Sequence, residues 1–518
     1  MKKGLLESNP NTMTKVIKLG VFYMLSFLFL LAAKPALGIG IDTPTIVSGI
    51  AKLTGTIKIP NGAKRDNIFV KITVPHQISG EFVKYKAVVD GTGKFSVDAD
   101  VETTVSFVHF STSLNPGKPL LVKLESGEVT RLDIAYNSNS DVENIEVTPA
   151  MNKNDMTRYF DLIGEMIQTP PISKAEPLYD KSTDHFLNYA KSLLSEILAV
   201  AKNDTLISKE LKEVLYDDFR LFFYKGSVFD YDAAMTANYG RTNGDKNKKP
   251  VIQKTDRSYY HFLRDFKLND PQYLYAVTFL EFQRKVLLNE TLAIPQIDET
   301  DIPIWLSSTK AILSDLLGFN SGPYYDILAA NAYGRQLTEE IRPLSEKQKQ
   351  NILNYWGNGE IAKILFRKNQ EVAELDKFKS PAVINDASKI APDKIIQKIV
   401  SKHKGKVILI DLWATWCGPC LEAMQRFRNT KAEFHGKDVV FVYLTDGSSP
   451  RKLWEEKIKG IGNEHYYLDD KQWRHVMDKF EFEYIPSYLL CNKKGVLTNK
   501  FSAFPENEEV KAMINELL

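Results

Sequence analysis

Cysteine is scarce in this chain. Three occur in 518 residues, Cys417, Cys420 and Cys491, and so few exclude a fold stapled by disulfides. An excess of charge of either sign is missing as well. The 67 Lys and Arg against 65 Asp and Glu leave a formal net charge of +2, with no long basic stretch, so nucleic acid is not an expected partner. No internal repeat is found, so a repeat architecture is not expected. The apolar run Leu19–Ala33 falls short of the ~20 residues that a spanning helix needs.

What is present begins with that run. Lys15 and Lys18 precede it, and Ala36-Leu37-Gly38 follows with small residues at the −3 and −1 positions of a signal-peptidase site. The pattern reads as an export signal over residues 1–38, with a retained membrane anchor as the alternative. No cysteine lies near the cleavage point, which excludes lipid attachment there. The Asn-x-Thr sequons at Asn203 and Asn289 are read as chance matches.

The chain exceeds the roughly 250–300 residues at which a single core stops growing, so several domains are expected. Over residues 46–150 apolar positions alternate, as in Ile68, Val70, Ile72 and Val74 and in Leu132, Ile134 and Tyr136. Asp90-Gly91-Thr92-Gly93 reads as a hairpin turn. Such closely spaced strands predict a small β-sandwich. Over residues 151–375 the period becomes helical, in Leu193, Leu194, Ile197 and Leu198 and in Tyr273, Ala276, Val277, Leu280 and Leu287, and core packing accounts for both stripes. Ser345 reads as the N-cap of a helix ending near Gly357, and Arg241–Pro250 as an exposed loop. A polar linker is expected over residues 376–391. Residues 392–518, or a segment starting near 382, alternate helices and strands and predict an α/β sheet with helical cover.

The chemistry concentrates in Val407–Cys420, VILIDLWATWCGPC. A buried-type strand runs straight into a C-x-x-C that opens a helix. Unpaired N–H groups and partial positive charge at the helix start favour thiolate, the attacking form, over thiol. Cys417 is expected at the exposed helix tip and Cys420 one turn later, more buried, within reach of the first sulfur. Pro419 suits the first helical turn. A zinc site would need a second pair of ligands; no second cysteine pair exists, and His435 has no histidine partner at ligand spacing. A structural disulfide is the other bland reading, although so tight a loop constrains the unfolded chain little. Cys491, in a strand-like run, reads as a small buried hydrophobe. His403, His465 and His475 are given no role.

The stretch resembles thioredoxin. Asp411, Trp413, Ala414 and Trp416 precede Cys417-Gly418-Pro419-Cys420 in the family pattern, and Ile485-Pro486-Ser487 matches the family's cis-proline loop. The extra strand and helix between Tyr466 and Phe480 are similar to those of TlpA/ResA-like envelope reductases. The whole layout resembles the long disulfide reductases of Bacteroides-type bacteria. The resemblance is specific over residues 382–518 and loose upstream.

It implies a multidomain chain whose C-terminal part has the thioredoxin fold. It also implies catalytic roles for Cys417 and Cys420, which would form a redox-active disulfide, and for Asp411 as a buried acid that relays a proton to or from Cys420. Trp416, Ile485 and Pro486 would bind substrate, with the Ile485 backbone pairing an extended segment. Asp411 as a satisfied core residue and Pro486 as an ordinary turn proline are the structural alternatives.

The expected partners are disulfide-containing proteins in the periplasm or cell envelope and a membrane thiol reductase as electron donor. Neither metal nor cofactor is called for. The Gly-Pro dipeptide matches thioredoxin itself, with a potential of about −270 mV against about −120 mV for the oxidant DsbA, so reduction is the expected direction. An oxidase or isomerase, or a binding scaffold with an accessory redox domain, is the alternative.

Overall fold

The computed structural model describes residues 43–59, 68–169, 176–242, 250–377 and 380–518. The signal or anchor expected over residues 1–38 lies outside the described residues, as does most of the 241–250 loop. The chain divides into two compact units, one drawn from residues up to Arg335 with Ser345–Phe366, the other from Gln336–Leu344 with Arg367–Leu518.

The first unit opens with eight strands: β1 (Ile46–Lys58), β2 (Phe69–His76), β3 (Glu81–Val88), β4 (Lys94–Thr103), β5 (Val105–Thr112), β6 (Leu120–Glu125), β7 (Val129–Tyr136) and β8 (Val142–Thr148). They form two four-stranded sheets, in the orders β4-β1-β7-β8 and β3-β2-β5-β6. Inward residues of both meet: the Phe95 ring lies 5.9 Å from Phe110, and the Thr112 and Tyr136 hydroxyls are bonded at 2.9 Å. The alternation seen in sequence is this sandwich's period of two. The Asp90 turn forms as expected, its carboxylate accepting from the Thr92 and Lys94 amides at 2.8 and 3.0 Å. It does not close a hairpin, however, because β3 and β4 belong to different sheets. Turn chemistry is local, whereas the choice of strand partner is set by which face is buried.

Helices follow: α1 (Lys153–Gln168), α2 (Thr183–Asn203), α3 (Lys209–Ser227), α4 (Tyr231–Thr242), α5 (Thr278–Leu288), α6 (Ile302–Leu317), α7 (Pro323–Thr338), α8 (Glu346–Trp356) and α9 (Glu360–Asp376). Ser345 caps α8 in a reciprocal capping box with Gln348, and Gly357 ends it at φ 57°. The Tyr273–Leu287 stripe is not one helix: Pro271–Tyr275 is a 3-10 turn and α5 starts at Thr278. Sandwich and helices, read from sequence as separate domains, are one unit. Gln77 donates to the Ala276 carbonyl at 3.0 Å, and Asn331 donates to the Gln77 carbonyl at 2.8 Å. Such side-chain bonds between distant segments leave no periodic trace. Among the described residues no helix is long and apolar enough to cross a membrane.

The second unit is built on one sheet in the order β14-β13-β10-β11-β12-β9, from β9 (Ala382–Asn385), β10 (Val407–Leu412), β11 (Val439–Thr445), β12 (Asn463–Tyr467), β13 (Ser487–Cys491) and β14 (Leu497–Ser502). Strands β9 to β12 run parallel; β13 pairs antiparallel with β10, and β14 antiparallel with β13. Its helices are α10 (Ile395–Lys402), α11 (Gly418–Ala432), α12 (Arg451–Ile461), α13 (Asp470–Lys479) and α14 (Asn507–Leu517). Every residue of β10 is buried. Val407 and Leu409 pack with Phe427, Trp454, Ile458, Val510 and Ile514 on one face. Ile408, Ile410 and Leu412 pack with Ile395, Ile399 and Val476 on the other.

Strand β9 is a correction. Residues 376–391 read as a linker, yet Ala382–Asn385 pairs with β12 as an edge strand. Four half-exposed residues carry no alternation long enough to detect.

Candidate active site

Strand β10 places the site. Successive side chains alternate between faces, so Asp411 shares the face of Val407 and Leu409, the one covered by α11. Beyond Leu412 the chain turns through Trp413–Trp416 into α11. That turn is pinned to the end of β11 and the segment after it: the Trp413 amide donates to the Leu444 carbonyl at 3.0 Å and the Thr415 amide to the Ser449 hydroxyl at 3.0 Å. Ser449 is itself bonded to the Thr445 hydroxyl at 2.8 Å. Trp416 is 63% exposed and its indole N–H donates to the Ser448 hydroxyl at 3.0 Å.

Cys417 and Cys420 are joined in a disulfide. Cys417 is the N-cap of α11, its sulfur accepting from the Cys420 amide at 3.2 Å. The expected exposure of Cys417 is corrected: it is only 3% accessible, against 0% for Cys420. In this disulfide form the residue packs in a cluster with Trp413, Ala414 and the half-buried Ile485. The Ile485–Pro486 bond is cis. Leu412 pairs with Ser487, which sets Pro486 beside the end of β10 that leads into the cysteines.

Asp411 is 6% exposed and its Oδ1 has no hydrogen-bond partner among the described residues. It lines a cavity of about 40 Å³ together with Ala423 and Phe427 of α11, Lys431, Tyr443 and Gly460. Burial holds its carboxyl well above the ordinary carboxylate range, against the pull of Lys431. The Lys431 ammonium donates to the Tyr443 hydroxyl at 3.0 Å and to the Ile461 carbonyl at 2.7 Å. Burial pushes that amine down to about 7, Arg428 adds to the effect and Asp411 opposes it. The Tyr443 hydroxyl is raised by burial first and by Asp411 second. His465 stacks on Tyr443 with centroids 5.0 Å apart, its Nε2 2.9 Å from the Gly462 carbonyl. A buried acid and amine sharing one small cavity can hold and pass a proton, and a helix start can stabilise a thiolate.

Sequence reasoning missed Lys431, Tyr443, Ser448 and Ser449. A signal for Lys431 existed: it lies four residues after Phe427 and three before Phe434, on the buried face of its helix. Cys491 is buried and its thiol is pushed up to about 11 by burial, in keeping with an inert core residue.

This arrangement of a strand, a helix-capping cysteine pair and a mixed sheet defines a thioredoxin-fold domain. Residues 384–517 match the Redoxin family, so the C-terminal part of the chain is a Redoxin domain. Thioredoxin from Coprinus comatus is 30% identical over 70 residues, 14% of this chain and 66% of that protein. The thiol-disulfide oxidoreductase ResA from Bacillus subtilis is 27% identical over 96 residues, 18% of this chain and 52% of that protein. The chain thus spans about half to two-thirds of these relatives. A solved structure of a Bacteroides vulgatus protein, proposed to be a thiol-disulfide oxidoreductase, is 31% identical, covering 23% of this chain and 82% of that one with a TM-score of 0.20.

Proposed function

We propose that the protein is a thiol-disulfide oxidoreductase of the cell envelope that reduces disulfides in exported proteins. The observation that carries this reading is the Cys417–Cys420 pair at the start of α11, on the helix that also walls the Asp411 cavity. The Redoxin match over the same residues supports it, and the N-terminal apolar segment motivates the location.

In the dithiol form, the Cys417 thiolate attacks one sulfur of a substrate disulfide. A Cys417–substrate bond forms, the substrate S–S bond breaks, and the departing thiolate takes a proton from solvent. Cys420 then gives its proton to the Asp411 carboxylate and attacks the Cys417 sulfur. The mixed disulfide breaks, and the second substrate thiolate leaves and is protonated. Two electrons have passed from the dithiol to the substrate. A raised proton affinity suits Asp411 to this step, because it narrows the gap between carboxyl and thiol and so eases proton exchange between them. Trp416, Ile485 and Pro486 form the surface on which substrate is held. The dithiol is restored by a membrane thiol reductase through the same exchange in reverse, and no bound cofactor takes part.

The test uses the full chain, reduced, freed of reductant and mixed with a disulfide-bonded protein. One substrate disulfide should be lost per chain. A parent chain that transfers no more than its Cys417→Ser, Cys420→Ser variant would contradict the reading.

A further inference from the structure

The second unit contains a short piece of chain far from the rest in sequence, Gln336–Leu344. It is tied into a closed loop. The Gln336 amide group donates to the Arg342 and Pro343 carbonyls at 3.2 and 3.0 Å, and the Leu344 amide donates to Asn369 at 2.7 Å. Ile341 within it is buried and sits at φ 48°, a conformation that a β-branched residue keeps only where its surroundings impose it.

This loop presses on α12. The Glu339 carbonyl oxygen lies so close to Gly460 that a Cβ there would sit 1.7 Å from it, and the obstructing atom is backbone, so no side chain could swing aside. One turn earlier, the buried Lys457 reaches Glu339 at 3.7 Å. Gly460 and Ile461 also line the Asp411 cavity, and the Ile461 carbonyl is the one that holds the Lys431 ammonium. A continuous run of contacts therefore leads from the Glu339 carbonyl through Gly460 and Ile461 to Lys431.

We propose that Gln336–Leu344 is a positioning strap for the redox centre, and that Gly460 is the positioning residue through which it acts: the strap fixes the last turn of α12 so that the Ile461 carbonyl keeps Lys431 at the Asp411 cavity. This rests on the thiol-disulfide reading above. A carbonyl acceptor favours the charged ammonium, and that charge favours the Asp411 carboxylate and the Cys420 thiolate. The other charged or titratable groups facing the cavity and its lysine are Arg428 of α11, Tyr443 of β11, His465 of β12 and Tyr488 of β13, while Lys457 of α12 meets Glu339 of the strap. All are unaltered in the variants that bear on the strap first.

The experiment follows the rate at which the reduced full chain converts oxidised glutathione to glutathione as a function of pH. Gly460→Ala should move the midpoint of the profile up by about one pH unit, the scale of one charge-assisted hydrogen bond. The same substitution in a Lys431→Met background should move it no further. An unmoved midpoint, or a shift that persists in full without Lys431, would overturn the strap while leaving the redox reading intact. A parent chain that never reacts would overturn both. Should Gly460→Ala fail to fold, Glu339→Gln loosens the strap from outside the cavity; a smaller upward shift that vanishes in the Lys431→Met background supports the proposal, and an unmoved midpoint overturns it.

Discussion

Asp218 in the first unit and Asp411 in the second are both buried carboxyls held above the ordinary range by desolvation, yet their surroundings differ. Asp218 is pushed up to about 7, and its Oδ1 accepts from the Thr278 amide at 2.7 Å, at the start of α5. Its charged neighbours, Lys225 and Glu281, are already paired with each other. Asp411 shares a cavity with an amine and with the helix that carries the cysteine pair. A raised proton affinity thus does not by itself mark chemistry. The hydrogen-bonding partner of Asp218 is a helix start that needs an acceptor, whereas Asp411 shares its cavity with the titratable side chains of Lys431 and Tyr443.

Substitutions should separate the two sites. The largest effect belongs to Cys417→Ser with Cys420→Ser, which should abolish disulfide exchange in a stopped-flow assay. Next comes Asp411→Asn, expected to slow exchange about 100-fold at neutral pH, the lower end of what a general acid–base group supplies; Asp218→Asn should leave that rate unchanged. If the two variants behaved alike, the distinction drawn between the sites would fail.

A smaller contrast lies in stability. Asp218→Ala strands a buried amide and should cost about 1–3 kcal/mol, read from hydrogen exchange in α5. Asp411→Asn should do the reverse at pH 8. The folded state binds the Asp411 proton more tightly than the unfolded chain does, so stability is fully present below the ordinary value of 3.8 and is lost as pH rises toward the folded value. The variant escapes this loss: urea denaturation should find the second unit more stable than the parent at pH 8, with the difference closing toward pH 4. The smallest effect is expected from Trp416→Ala, which should raise KM for a protein disulfide several-fold, the scale of one exposed aromatic contact, with kcat and the rate on glutathione disulfide little changed.

Much of the second unit could be read from sequence, because its signals are local: an all-apolar strand, a C-x-x-C at a helix start, turn residues between strands. Asp411 was singled out through its place in that motif. Lys431 was not, since a lysine late in a helix reads as solvated unless its spacing to Phe427 and Phe434 is weighed. β9 was missed because an edge strand of four half-exposed residues has no pattern of its own. In the first unit the class of each region was legible, but the union of sandwich and helices was not, nor was the sheet change after the Asp90 turn. Both depend on burial shared between segments far apart in the chain. Gln336–Leu344 is the extreme case, nine residues whose place in the second unit nothing local announces.

The most direct test of the central claim is the equilibrium reduction potential of the Cys417–Cys420 pair, titrated in the full chain against glutathione or dithiothreitol. A reductase that draws on a donor should show a value near or below about −220 mV. A value above about −150 mV would contradict the reducing role and turn the protein into an oxidase or isomerase.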